Sequence, residues 1–115
     1  MADADNRPGR WHVGLAELRE QLRGAPQPFV TALAHGTMSV ELFAPRGADT
    51  QQPHAQDELY IIREGSGWFL HEGERVPVKA GDVLFVRAGA EHRFVDFTPD
   101  FETWVIFWGP EGGEA

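Results

Sequence analysis

The sequence contains no cysteine. Disulfides, thiolate zinc sites and cysteine nucleophiles are therefore excluded, stability must come from packing, and any metal must be held by nitrogen and oxygen. Basic residues are also scarce: ten Lys and Arg stand against eighteen Asp and Glu, a formal charge of −8. With no basic stripe along the chain, a surface built to neutralise nucleic-acid phosphates or anionic lipid is not expected. No hydrophobic run approaches the roughly 20 residues that span a bilayer. The first ten residues carry Asp3 and Asp5 and lack the basic start and apolar core of a secretory signal. These absences suit a cytoplasmic protein. There is no internal repeat, and no glycine-rich phosphate loop opens a helix.

What the chain does have is enough apolar side chain for one core. Its 115 residues are 42% hydrophobic and include eight Phe, four Trp and one Tyr, which fits a single packed domain. Residues 1–10 and 110–115, rich in Gly, Pro and charge, read as flexible tails around one domain at 11–109. Val13, Leu15, Leu18 and Leu22 recur at helical spacing before Gly24 and Pro26, which gives one short amphipathic helix suited to covering a sheet. From Pro28 onward the pattern is short β-type runs: 29–34, 38–44, 58–63, 68–71, 83–87, 92–97 and 103–108. Met38, Val40 and Leu42 alternate with Ser39 and Glu41, so one face of that strand is expected to be buried and the other wet. In the last run Trp104, Ile106 and Trp108 alternate with Val105 and Phe107, so both faces are apolar and the outer one needs a cover, from the helix or from a second subunit.

If Gln52-Pro53-His54 is extended, Gln52 and His54 point to one face and bracket a single ion. Glu58 follows at the same parity and supplies the negative charge that neutral ligands lack. His92, in Gly89-Ala90-Glu91-His92, arrives just after a tight turn from a distant strand. Any one histidine in a β-protein is more often structural; the joint pattern is the signal.

That pattern resembles the cupin superfamily, whose motifs read G-x5-H-x-H-x3-4-E-x6-G and G-x5-P-x-G-x2-H-x3-N. The first aligns with Gln52, His54, Glu58 and Gly65, the second with Gly81, Arg87, Gly89, His92 and Asp96. Gln52 stands where the family has its first histidine, Arg87 where it has Pro and Asp96 where it has Asn. Gly47 is one residue too close to Gln52 to be the opening glycine. A rival alignment takes His54 and Gln56 as the pair, but it puts Tyr60 or Ile61 where the glutamate belongs, so spacing favours Gln52.

The resemblance implies an all-β fold, a single cupin jelly-roll barrel or double-stranded β-helix, with the helix at its N-terminal side. It implies one divalent ion, Zn, Fe, Mn, Ni or Co, on Gln52, His54, Glu58 and His92, a set similar to the zinc site of cupin-type phosphomannose isomerases. It further implies a metal-dependent enzyme of dioxygenase, isomerase or lyase type acting on a small oxygenated molecule, or else a non-catalytic module that binds a small molecule or the metal. Glu58 and Tyr60, the only tyrosine, are the candidate catalytic residues; Ile62, Phe94, Met38 and Trp104 are the candidate pocket walls. His12, His35 and His71 are read as structural or exposed. The doubly apolar last strand, with the habit of small cupins, implies a homodimer.

Overall fold

A run of leucines at helical spacing needs a surface to bury against, and the chain supplies it at once. Helix α1 (Leu15–Gly24) presses Leu18 and Leu22 onto Val30, Ala32 and Leu42, with Trp104 packed against the same cluster. Arg46 closes the far end of the helix, donating to the carbonyls of Leu22 at 2.7 Å and Ala25 at 2.9 Å, where backbone oxygens have no helical partner. These observations come from a computed structural model that describes residues 10–115; except for Arg10, the tail expected at 1–10 lies outside the described residues.

Eight strands follow: β1 (Phe29–His35), β2 (Met38–Phe43), β3 (Asp57–Glu64), β4 (Ser66–His71), β5 (Glu74–Lys79), β6 (Val83–Val86), β7 (His92–Val95) and β8 (Glu102–Trp108). They form a five-stranded sheet ordered β1-β2-β8-β3-β6 and a three-stranded sheet ordered β5-β4-β7, with antiparallel pairing throughout. The main core lies between the sheets and holds Phe43, Tyr60, Ile62, Phe69, Phe94, Phe101 and Val105. This is the all-β jelly-roll with one short helix that the sequence led us to expect.

Strand β5 escapes sequence reading because its Glu-Arg-Val-Pro-Val-Lys buries only Val78. It is an edge strand, which is where a proline such as Pro77 can sit without costing a ladder hydrogen bond. The connection between β3 and β4 is Gly65 alone, and its left-handed φ of 82° lets the chain bend from the large sheet into the small one.

The phase of two strands differs from expectation. In β2 the apolar residues Val40 and Leu42 face the helix-side cluster, while Glu41 and Phe43 face inward. Met38, expected as a pocket wall, shares the outer face with Val40 and Leu42 by strand alternation. Trp104, also expected there, packs under the helix; its neighbours Val105 and Phe107 line the interior instead. The cause is that α1 covers the outer face of β1 and β2, with Trp104 of β8 packed beside it, so the more continuous apolar face of β2 belongs to the helix, not the cavity.

Residues 110–115 return to the start of β3. Gly112 N donates to Ala55 O at 2.7 Å and Glu114 N to Asp57 Oδ2 at 2.9 Å, while Ala88 N donates to the other oxygen of Asp57, also at 2.9 Å. These two backbone donors hold the Asp57 carboxyl below its ordinary range. Among the described residues no helix is long and apolar enough to cross a membrane.

Candidate metal centre

The topology brings His54, just before β3, Glu58, in β3, and His92, at the start of β7, to one point: a ligand atom from each lies within 4.8 Å of the others. His92 Nε2 is 3.0 Å from Glu58 Oε1, and His54 Nε2 is 4.0 Å from the same oxygen. Glu58 and His92 are buried; His54 is partly open to solvent, with the ring of Phe107 edge-on at 4.9 Å.

The tautomer of His92 follows from its other nitrogen. Nδ1 lies 2.9 Å from the Ala90 carbonyl, which can only accept, so Nδ1 carries a proton and, in the neutral ring, the Nε2 lone pair faces Glu58. Despite their closeness, His92 Nε2 and both Glu58 oxygens are buried without a properly aligned hydrogen bond. Lone pairs turned toward one another in a buried space are unfavourable unless a proton or a metal cation lies between them. Two imidazole nitrogens and a carboxylate are a donor set suited to a divalent transition ion, so these residues fit the metal that the motifs imply.

The amide nearest this cluster is not the expected one. Gln52 is exposed, whereas the Gln51 Oε1 lies 3.1 Å from His54 Nε2 and accepts a hydrogen bond from the Tyr60 hydroxyl at 3.0 Å. Residues 50–54 are not a strand, so the two-residue alternation that paired Gln52 with His54 does not operate there. Gln56 is turned away, donating from Nε2 to the Thr37 and Gly109 carbonyls. Buried Asp49 anchors Gln51 through the amide Nε2 at 2.9 Å and the backbone N at 3.1 Å, and takes the Phe94 N–H of β7 at 2.7 Å. One carboxylate thus fixes the loop, the amide and a core strand. Neither Asp49 nor Gln51 carries a motif signal in the sequence.

Of the other expected residues, Tyr60 is fully buried with its hydroxyl in this network, and Ile62 and Phe94 are core residues below it. Phe94 meets the Tyr60 ring edge-on at 5.0 Å. His12 and His35 are exposed, whereas His71 stacks on Phe69 and pairs with His92 across β4 and β7.

Burial lowers the His54 pKa, outweighing the Glu58 charge. Burial also opposes protonation of His92, but its contact with Glu58 and the Ala90 carbonyl outweighs this and the net shift is upward. Burial, then the Glu58 charge, holds the Tyr60 hydroxyl well above its ordinary range, so it is a hydrogen-bond donor and not a phenolate.

Beside the cluster lies a cavity of about 330 Å³ walled by Glu41, Phe43, Asp49, His54, Val105 and Phe107 among others. Burial and the Glu58 charge lift the Glu41 carboxyl from 4.5 to about 7. Between these values the native protein holds a proton that the unfolded chain does not, so stability falls as pH rises through this window. The full rise corresponds to about 3 kcal/mol, and solvent in the cavity reduces it to roughly 1–2 kcal/mol. Glu41→Gln is therefore expected to stabilise the metal-free protein by that amount at pH near 8, with no gain near pH 4, in urea titrations at both values.

Comparison with known proteins agrees with this geometry. The family described as "Cupin domain" matches residues 39–100. The chain is a cupin. An uncharacterized protein of Streptomyces coelicolor is 33% identical over 99 residues, 84% of this cupin and 94% of that protein. A cupin superfamily protein of Desulfitobacterium hafniense superposes with a TM-score of 0.64 at 19% identity, covering 92% of this cupin and 96% of that chain, a likeness of fold. A structure from Thermotoga maritima described as a predicted oxalate decarboxylase gives a TM-score of 0.57 at 26% identity, over 70% of this cupin and 77% of that chain.

Proposed function

We propose that this cupin is a metal-dependent enzyme acting on a small oxygenated molecule, with His54, Glu58 and His92 holding one divalent ion and the Gln51 amide oxygen, in place of Gln52, beside them. The observation that carries this reading is the convergence of buried atoms without hydrogen bonds, Glu58 Oε1 and Oε2 and His92 Nε2. A bound divalent ion supplies Lewis-acid polarisation of a substrate oxygen, or oxygen activation if it is redox-active. The chain's own residues do the positioning. The Ala90 carbonyl fixes His92, Asp49 fixes Gln51, and Tyr60 directs its proton at Gln51 Oε1, whose other contact is His54 Nε2 at 3.1 Å. The phenyl rings of Phe43 and Phe107 shield one side of the cavity from water. The structure described as a predicted oxalate decarboxylase supports a catalytic reading of lyase type, beside which isomerase and dioxygenase chemistry stand as the alternatives.

The apolar walls also suit a module that holds a small molecule without converting it. Incubating metal-loaded protein with diketones, catechols and sugar derivatives separates the two: turnover of any member supports the enzyme, whereas saturable binding without turnover across the panel supports the module.

A homodimer through the outer face of the large sheet and a cytoplasmic setting, the latter on the cysteine-free composition, belong to the same proposal. Helix α1 covers only part of that face, and Ile61, Val83 and Phe85 stay exposed, the last two by 60% and 55%. Adjacent apolar side chains of this kind mark an association surface. Light scattering is expected to give twice 12.8 kDa, and Phe85→Glu to return the particle to a monomer with an unchanged fold. A wild-type monomer would end the idea.

A further inference from the structure

The cavity wall that includes His54 also carries a carboxyl that the metal reading does not use. Glu41 lies in one transverse row with Val105 and Tyr60 across β2, β8 and β3, and its side chain faces the cavity. The other carboxyl on the wall, Asp49, is engaged at both oxygens by Gln51 and Phe94. Among the described residues, Glu41 has no hydrogen-bond partner and no ion pair, and no lysine or arginine lines the cavity. A half-buried carboxyl with neither donor nor cation beside it is open to a ligand that enters the cavity. Its surroundings, Phe29, Phe43, Val105 and Phe107, are apolar. A carboxylate on this wall accepts a hydrogen bond from a ligand hydroxyl.

We propose that Glu41 selects the ligand of this cavity: it hydrogen-bonds a hydroxyl of an uncharged, partly apolar substrate and rejects carboxylated or phosphorylated relatives. The inference rests on the metal-dependent reading above for the place of the substrate between Glu41 and His54. Charge balance favours it. A dication with Glu58 and two neutral histidines leaves one positive charge, and an ionised Glu41 together with the Asp49 carboxylate on the same wall outweighs it, so an anion gains no net attraction and a neutral hydroxyl loses none. A dianion such as oxalate is then a poor fit, which sets this chain apart from decarboxylases of dicarboxylates.

The test uses cobalt-loaded protein under argon at pH near 8, with metal content measured for every sample. Catechol, its ring carboxylate protocatechuate and its aminomethyl analogue are titrated by visible absorbance and calorimetry. Wild type is expected to bind catechol at least about tenfold more tightly than protocatechuate, and Glu41→Gln to bring the two within about threefold, mainly by tightening the carboxylate. Glu41→Asp, which keeps the charge, should restore most of the discrimination. An unchanged ratio in Glu41→Gln, a preference for the amine over catechol, or no catechol binding by cobalt-loaded wild type would each overturn the inference. Failure of the metal reading is distinct: wild type would then take up no cobalt.

Discussion

His92→Ala is expected to abolish metal retention, leaving less than about a tenth of an equivalent where wild type holds about one, and to weaken affinity by more than about 100-fold. His92 is the proposed ligand whose orientation is most fully determined, with Nδ1 committed to Ala90 and Nε2 aimed at Glu58. Its removal takes away one of three donors and leaves Glu58 without its closest neighbour. His54 is partly open, with Gln51 Oε1 at 3.1 Å and Glu58 Oε1 at 4.0 Å from its Nε2, and His54→Ala should also lose the ion. Gln51→Ala should weaken affinity less, because an amide contributes less than an imidazole. Gln52→Ala should leave it unchanged, since that side chain is exposed. Elemental analysis after purification without chelator checks the series, and unfolding supplies a second reading. Metal at 100 times its dissociation constant adds about 2.7 kcal/mol of stability to wild type and none to His92→Ala. Equal metal content in the two proteins would refute the assignment.

Gly65→Ala is expected to destabilise the fold by about 3 kcal/mol or more. Two costs combine at this position. The φ of 82° is a left-handed conformation that costs an L-residue roughly 1–2 kcal/mol. A Cβ there would also lie 2.5 Å from Thr98 Oγ1, 2.8 Å from Phe101 Cα and 2.9 Å from Asp100 Oδ1. Thr98 Oγ1 is already fixed as acceptor for Ser66 N, and Phe101 Cα is backbone, so neither gives way cheaply; overpacking of this kind costs about 1–3 kcal/mol. Differential scanning calorimetry should show the midpoint lowered by roughly 10 °C or more. Gly36→Ala is the control: its φ is 58° but nothing lies within 4 Å of the added carbon, so only the conformational cost remains. If the two variants lose equal stability, steric crowding at Gly65 is not the cause.

The fold was legible because its signals are local. Hairpin turns, the leucine spacing of α1 and the motif intervals from His54 to Gly65 and from Gly81 to His92 each depend on a few neighbouring residues. Which side chains converge was legible where strand geometry holds, at Glu58 and His92, and not where it fails, at Gln52, because residues 50–54 are an irregular loop pinned by Asp49. Glu41 and Ser39 read as the wet face of an ordinary half-buried strand. The same alternation arises when the wet space is a cavity, and only the position of α1 on the opposite face tells the two apart. Asp49 could not have been found by pattern at all, since its partner Phe94 is 45 residues away.

The Asp57 clasp couples the motion of three separated segments. Its carboxylate ties residue 88, in the turn that delivers His92, and residue 114 to the start of β3, one position before Glu58. Any excursion that frees this carboxylate loosens both anchors of the centre together, so amide protons at Ala88 and Glu114 should exchange with solvent as a single cooperative unit. Acid should speed this opening before global unfolding, because protonating Asp57 removes the charge that both amides serve.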